Sequence, residues 1–285
     1  MTSVLPGRVF VVGAGTMGAG IAQVFAQAGA KVLLHDASAP ALERARRAIT
    51  SSLERLTAKG AIDAVLAEAT LTRIAAASFD AASDAEVVVE AIVENAAAKQ
   101  ELFARLDAAC PDAAMLASNT SSVSITSLAA ATSRPERVVG LHFMNPVPVL
   151  PLVEVVRGQR TADATVDLAC RVAAALDKSP VVSADVPGFI ANRVLMPMIN
   201  EAIFALMEGV GTAEAIDTVM TLGMRHPLGP LALADLIGLD VCLAILDVMH
   251  EGFGDPKYRA CPLLRRMVAA GQLGRKSGEG FYRYE

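Results

Sequence analysis

The segment that most constrains the fold of this chain is a glycine-rich loop near its start. A short apolar run over residues 8–12 leads directly into Gly13-Ala14-Gly15-Thr16-Met17-Gly18, and a helical pattern follows over residues 19–27. A second apolar run over residues 31–35 ends on Asp36. Strand, glycine loop, helix, strand and terminal acid, in this order, predict the first βαβ unit of a dinucleotide-binding domain.

Each glycine of this loop has a physical reason to be there. Gly13 permits a tight turn, Gly15 lets the backbone approach a pyrophosphate, and Gly18 lets the helix pack closely on the strand. The helix N-terminus offers unpaired N–H groups to the phosphates. Together with Thr16 and Met17, these glycines form the predicted cofactor-binding loop.

The acid at the end of the second strand indicates which dinucleotide would bind. Asp36 lies 23 residues after Gly13, where it can accept hydrogen bonds from the ribose hydroxyls of the adenosine. A carboxylate repels a ribose 2′-phosphate, and Ala37-Ser38-Ala39 follow it instead of an arginine. The first arginine after Asp36 is Arg44, at least one helical turn further on, so the sequence favours NAD over NADP.

Two apolar runs near the middle of the chain each carry one ionisable residue. Residues 138–143 contain His142, residues 150–156 contain Glu154, and Asn145-Pro146 and Pro148 form the turn between the two predicted strands. A carboxylate held against an imidazole fixes its tautomer and raises its basicity, as a general base requires. The alternative is a structural histidine whose nitrogens are satisfied in the core, with a glutamate at a strand edge.

Polar residues follow two further predicted strands. The apolar run over residues 85–94 carries Glu90 and Glu94 at its carboxyl end, where open α/β sheets bind ligands. The strand predicted over residues 114–117 leads into Ser118-Asn119-Thr120-Ser121-Ser122. These small polar residues could cap the next helix or could bind a substrate oxygen.

The segment over residues 40–69 is helical, charged and longer than a simple crossover requires. Its basic residues include Arg55 and Lys59. They could form a solvated helix face, or they could contact a phosphate-bearing substrate, with Ser52 and Lys59 as candidate contacts.

After a strand predicted over residues 179–183, the strand patterns stop and helical patterns continue to the end of the chain. We expect helices over residues 189–208, 212–222, 230–249 and 262–270, and Asn192 lies in the first turn of the first. The predicted fold class is therefore α/β, with a Rossmann-type domain over 1–185 that contains a helical insertion and an all-α domain over 186–285.

The composition of the 285 residues excludes several classes. A net charge of -5 argues against nucleic acid as a partner, and no window of 18 residues is apolar and free of charge, as a membrane span would be. Four widely spaced cysteines suggest neither a disulfide framework nor a zinc site, and no metal site is predicted. Reduced thiols and the lack of signal-peptide features predict a cytoplasmic protein.

Taken together, the motifs resemble those of the L-3-hydroxyacyl-CoA dehydrogenase family, in its short, single-function form. The similar segments span residues 9–282 and are GAGTMGAGIAQVFA, VVEAIVEN, SNTSSVSIT, RPERVVGLHFMNPVPVLPLVEVV, PGFIANRVLMPMINEA, HPLGPLALADLIGLD and GRKSGEGFY. The resemblance implies an NAD-dependent oxidoreductase that interconverts short-chain L-3-hydroxyacyl-CoA, such as (S)-3-hydroxybutyryl-CoA, and the 3-oxoacyl-CoA. It also implies a place in acyl-CoA metabolism, whether fatty acid metabolism, aromatic-acid degradation or synthesis.

The same resemblance implies residue roles. His142 would be the general base and Glu154 its orienting partner, while Ser121 and Asn192 would hydrogen-bond the reacting oxygens. Six residues would lie around NAD, namely Asp36, Glu94, Lys99, Ser121, Asn145 and Lys276. Ser52 and Lys59 would lie near the CoA portion of the acyl-CoA substrate.

The resemblance further implies a homodimer through the helical C-terminal domain. Two other functions remain open at this point. The chain could be a dehydrogenase of a free hydroxy or sugar acid on the same fold, or a non-enzymatic structural protein like the related lens crystallins. The complete set of His142, Glu154, Ser121 and Asn192 speaks against the second.

Overall fold

A computed structural model describes residues 5–284 and divides them into two compact units. The first unit ends at Val186 and contains a single sheet with its flanking helices. The second begins at Pro187 and is built from helices. This confirms the predicted fold class.

The N-terminal unit is organised by an eight-stranded sheet with the order β3-β2-β1-β4-β5-β6-β7-β8. All neighbouring strands pair parallel except β6 and β7, which are antiparallel. The strands are β1 Arg8–Val12, β2 Lys31–His35, β3 Ile74–Ala76, β4 Val87–Glu90, β5 Met115–Ser118, β6 Val138–Phe143, β7 Leu152–Arg157 and β8 Ser179–Ala184.

The centre of this sheet is buried, which explains the continuous apolar runs in the sequence. Every residue of β4, β5 and β6 is buried. Because β1 lies between β2 and β4, the chain leaves β1 toward one side of the sheet and returns on the other. The carboxyl ends of β1 and β4 therefore meet at the switch point, where open α/β sheets bind ligands.

Six α-helices connect the strands. They are α1 Thr16–Ala28, α2 Ala39–Ala58, α3 Ala64–Thr72, α4 Ala96–Ala109, α5 Ile125–Ala129 and α6 Asp163–Ala175. The predicted helical insertion is thus two helices, and Asp63 ends the turn between them by accepting a hydrogen bond from the Leu66 N–H at 2.7 Å. The sequence analysis missed β3, because three residues on a sheet edge are too few to show a period.

The strand predicted over residues 85–94 was too long. β4 ends at Glu90, whose carboxylate accepts a hydrogen bond from the Ile92 N–H at 2.7 Å and so turns the chain. The apolar residues that follow do not continue the strand, since Val93 is 72% exposed. Glu94 therefore lies in the loop after β4 and not on the strand.

Within residues 187–284, the C-terminal unit contains five α-helices, and each of them contributes apolar side chains to its core. The helices are α7 Ala191–Met207, α8 Ala213–Thr218, α9 Pro230–Ile237, α10 Leu239–Phe253 and α11 Pro262–Ala269. The core includes Ile199 and Ile203 of α7, Leu231 of α9, Leu246 of α10 and Leu264 of α11. The single helix predicted over residues 230–249 was wrong, because Gly238 has a φ of 104°, which an α-helix does not contain.

Within residues 5–284, no helix is long and apolar enough to cross a membrane. The same range holds no group of three or more His, Cys, Asp or Glu side chains arranged to bind a metal ion.

Candidate active site

The two ionisable residues of the central segment lie directly opposite each other. In the antiparallel pair of β6 and β7, His142 is in register with Glu154, and the His142 Nδ1 lies 2.8 Å from the Glu154 Oε2. Both are buried, with 8% and 1% of their surfaces exposed. A carboxylate partner keeps the ring proton on Nδ1, which leaves Nε2 as the basic nitrogen. The arrangement is suited to proton transfer.

A cavity of about 920 Å³ lies at the carboxyl ends of β1, β2 and β4. The loop of Gly13–Gly18, called the glycine loop below, forms much of its lining, together with Asp36 and the residues after β4. A Cβ atom at Gly13 would lie 2.4 Å from the Ala91 carbonyl oxygen, and one at Gly18 would lie 1.8 Å from the Gly13 oxygen. The loop can therefore adopt this path only with glycine at both positions.

The same loop fits a dinucleotide. At Gly15 a Cβ atom would have no other atom within 4 Å, so the backbone there faces open space. α1 begins at Thr16 and Met17, and within the described part of the chain no side chain caps it. Its first N–H groups and the positive end of its dipole are thus suited to an anionic pyrophosphate.

Asp36 both organises the glycine loop and faces the cavity. Its two oxygens accept hydrogen bonds from the Ala14 and Ser38 N–H groups, each at 2.8 Å. A carboxylate has about four lone-pair sites, so these bonds leave acceptor capacity for ribose hydroxyls. Arg44 lines the same cavity one helical turn into α2.

Lys99 does not line this cavity but is completely buried between carboxylates. Its Nζ lies 2.5 Å from Glu90 Oε1 and 3.3 Å from Glu94 Oε2, and Glu90 is also fully buried. Ser118 donates its hydroxyl to the other Glu90 oxygen at 2.5 Å. Glu90, expected at a ligand-binding edge, thus serves as the buried partner of Lys99.

The residues after β5, called the serine loop below (residues 119–124), are gathered around one oxygen of Glu94. Five donors lie 2.6 to 3.1 Å from Glu94 Oε1, and these are the N–H groups of Ser121 and Ser122 and the hydroxyls of Thr120, Ser121 and Ser122. Burial would raise the pKa of Glu94, but the charge of Lys99 and these hydrogen bonds outweigh it and lower the pKa. Glu94 therefore stays ionised and fixes the backbone that carries Ser121.

The helix cap that the sequence suggested is present, but at a different residue. Ser124 caps α5, because its hydroxyl accepts a hydrogen bond from the Ser127 N–H at 3.2 Å. Asn119 instead joins the serine loop to β6, since its side-chain oxygen accepts a hydrogen bond from the Phe143 N–H at 3.0 Å.

Five further candidate residues lie in different parts of the chain. In the N-terminal unit, Ser52 lies on α2, Lys59 follows its last turn, and Asn145 lies in the turn between β6 and β7. In the C-terminal unit, Asn192 is the second residue of α7 and is 8% exposed. Lys276 in that unit binds Asp240, with its Nζ 2.5 and 2.7 Å from the two carboxylate oxygens.

The sequence analysis missed Asp185. Its carboxylate accepts three hydrogen bonds from residues 124–126, some 60 positions earlier in the chain. An acid in a loop before a proline carries no local signal of such contacts, so only the folded chain reveals them.

The chain belongs to the 3-hydroxyacyl-CoA dehydrogenase family. The model of the family's NAD binding domain matches residues 8–186, and the model of its C-terminal domain matches residues 188–284. The protein is accordingly an NAD-dependent oxidoreductase, in agreement with the glycine loop and its cavity.

Similar proteins match this chain over nearly its whole length. A probable 3-hydroxybutyryl-CoA dehydrogenase of Bacillus subtilis is 52% identical, with 98% of this chain and 97% of the relative covered. The 3-hydroxybutyryl-CoA dehydrogenase of Bradyrhizobium diazoefficiens is 51% identical, with 97% and 95% covered. The crystal structure of (S)-3-hydroxybutyryl-CoA dehydrogenase from Ralstonia eutropha is similar with a TM-score of 0.95 and 46% identity, and 98% and 99% of the two chains are covered.

Proposed function

We propose that this protein interconverts (S)-3-hydroxybutyryl-CoA and acetoacetyl-CoA, with His142 as the general base and Glu154 as its orienting partner. The observation that carries the proposal is the buried contact of 2.8 Å between His142 Nδ1 and Glu154 Oε2. The similarity to enzymes named for this substrate supports the choice of acyl-CoA.

The chain's own residues account for the proton. In the oxidative direction, His142 Nε2 takes the proton from the 3-hydroxyl of the substrate. The imidazolium that forms is stabilised by the buried Glu154 carboxylate, and it returns the proton to the 3-oxygen in the reverse direction. A positioned base of this kind contributes about 10² to 10⁴ in rate. NAD, when bound, supplies the acceptor for the hydride that leaves C3.

Other residues would orient the substrate and the cofactor. Ser121 and Asn192 would hydrogen-bond the reacting oxygens, and Ser52 and Lys59 would contact the CoA portion. For the cofactor, Asp36 would bind the adenosine ribose and the glycine loop the pyrophosphate. Glu94, Ser121, Asn145 and Lys276 would lie around the remainder, with the buried Lys99 behind Glu94.

We also infer a homodimer formed through the C-terminal unit. Its helices and turns expose several large apolar side chains, which association through this unit would bury. The most exposed of these are Val194, Val210, Leu222 and Met224.

The test is the oxidation of NADH by acetoacetyl-CoA, run in parallel with NADPH and with free acetoacetate. We expect turnover with NADH and the thioester and little with the free acid. Turnover of free acetoacetate at a similar rate would favour a free hydroxy-acid dehydrogenase.

His142→Ala should lose at least about 100-fold in kcat and keep its affinity for NADH, because only the base is removed. His226→Ala, a matched histidine variant in the C-terminal unit, should keep wild-type kcat.

A further inference from the structure

Side-chain oxygens hold the backbone of the segment that runs from Ser121 into the first turn of α5. Between Thr120 and Ser127, seven N–H groups donate to side-chain acceptors. The Ser121 and Ser122 N–H groups donate to Glu94, and those of Ile125 and Thr126 donate to Asp185. The other three N–H groups donate to hydroxyls, from Thr120 to Ser118 Oγ, from Val123 to Thr120 Oγ1 and from Ser127 to Ser124 Oγ. The position of this segment therefore depends on a few carboxylates and hydroxyls.

Two carboxylates, Glu94 and Asp185, accept four of these seven N–H groups. Glu94 holds the first half of the segment, as described above. Asp185 holds the second half, because its Oδ2 accepts hydrogen bonds from the Ser124 hydroxyl and the Thr126 N–H, both at 2.7 Å. Its Oδ1 accepts a hydrogen bond from the Ile125 N–H at 3.0 Å.

Asp185 is itself fixed by the sheet. It directly follows β8, and its N–H donates to the Arg157 carbonyl oxygen at 3.1 Å, which continues the pairing of β7 and β8. β7 also carries Glu154. A carboxylate anchored to this sheet edge therefore sets the position of the serine loop relative to the strand pair of His142 and Glu154.

Only two residues separate Ser121 from Ser124, which Asp185 binds. Those two residues are tied back to Thr120, whose Oγ1 accepts hydrogen bonds from the Ser122 N–H at 3.2 Å and the Val123 N–H at 2.8 Å. The turn is thus a short, closed unit. A shift of Ser124 would be transmitted to Ser121 instead of being absorbed by a flexible linker.

We propose that Asp185 is a positioning residue that acts through Ser121. This inference rests on the proposed function, in which Ser121 hydrogen-bonds a reacting oxygen. Displacing a reactive group by about 1 Å costs about 100-fold in rate. Asp185→Ala should therefore lower kcat by about 10-fold or more.

A double-mutant cycle of Asp185→Ala and Ser121→Ala distinguishes positioning from a general structural role, because coupled residues give non-additive effects. If Asp185 acts through Ser121, Asp185→Ala lowers kcat in the wild-type background and has little further effect in Ser121→Ala. An equal loss of kcat in both backgrounds, or no loss in either, would overturn the proposal.

Two variants keep the test decisive. Asp107→Ala removes another carboxylate that joins two segments of the N-terminal unit, since Asp107 accepts the Ser133 N–H at 2.7 Å, and it should lower Tm without lowering kcat. If Asp185→Ala does not fold, Asp185→Asn takes its place in the cycle, because it keeps one acceptor oxygen. The wild-type reaction with acetoacetyl-CoA is measured alongside, so failure of the proposed function would show as absent turnover before any variant is compared.

Discussion

The glycine loop after β1 and the serine loop after β5 both follow parallel strands of one sheet, and each has a carboxylate acceptor, but steric contact restricts only the glycine loop in the way described above. The glycine loop is fixed by close contact, since a Cβ atom at Gly18 would lie 1.8 Å from the Gly13 oxygen. The serine loop is fixed by acceptors, with five donors around one oxygen of Glu94. Asp185 accepts the Ser124 hydroxyl of the loop and two N–H groups at the start of α5.

This difference decides how each loop responds to change. A loop fixed by contact has little tolerance for added atoms at the crowded positions and full tolerance where the backbone faces open space. A loop fixed by hydrogen bonds depends instead on the ionisation of its acceptors and on the charges that keep them ionised. The geometry of the serine loop should therefore respond to pH and to the removal of Lys99, the cation that contacts Glu94.

The largest effect on stability is expected from Lys99→Met, which removes the cation behind the serine loop. The fully buried Glu90 would lose its charged partner, and breaking a buried ion pair in this way costs about 3 to 5 kcal/mol. Urea unfolding followed by circular dichroism measures the loss. Arg8→Met is the control, because it breaks an ion pair with Asp84 that is more than half exposed and should cost about 0 to 1 kcal/mol. Equal losses in the two variants would contradict this interpretation of Lys99.

A smaller effect, of about 1 to 3 kcal/mol, is expected for Gly13→Ala in the glycine loop. Gly13 has a φ of 100°, and the new Cβ would lie 2.4 Å from the Ala91 oxygen. Gly15→Ala is the matched variant, because nothing lies within 4 Å of its Cβ. It should unfold like the wild type and yet bind NADH more weakly, since the methyl group stands where a pyrophosphate approaches. Denaturant unfolding and NADH fluorescence titration separate the two outcomes, and a stability loss in Gly15→Ala would refute the contact argument.

The smallest effect, and one that depends on pH, is expected for Glu94→Gln. Burial raises the pKa of Glu94, but Lys99 and the hydrogen bonds of the serine loop outweigh it and lower the pKa from its ordinary value of 4.5. A lowered pKa adds stability that is present above that ordinary value and is lost as pH falls through the folded-state pKa. The stability difference between wild type and Glu94→Gln should thus be largest at neutral pH and shrink in acid. Unfolding curves over this range measure it, and Glu201→Gln, on an exposed part of α7, controls for the loss of one charge. A difference that does not change with pH would contradict the prediction.

The contrast between the loops also explains what could be predicted. The glycine loop is local in sequence, and its spacing within a strand, turn and helix identified both the fold and the cofactor. The pairing of His142 with Glu154 was predictable because the strands are neighbours in the chain and their register places the two residues opposite each other. The break at Gly238 and the edge strand β3 were missed, because one glycine and three residues give too weak a local pattern.

The sequence by itself determined most of the strands and helices, the dinucleotide loop, the preference for NAD and the family to which the chain belongs. These follow from patterns within short segments, where steric and hydrophobic requirements act between near neighbours. Only the tertiary structure decided that Lys99 is buried between Glu90 and Glu94, and that Glu94 and Asp185 hold the serine loop. The contacts of Glu94 and Asp185 with the serine loop join residues 26 to 61 positions apart. The contacts of Lys99 are closer in sequence, but they depend on the burial of its side chain. A hydrogen bond needs its two atoms close together, and for such residues only the folded sheet brings them there.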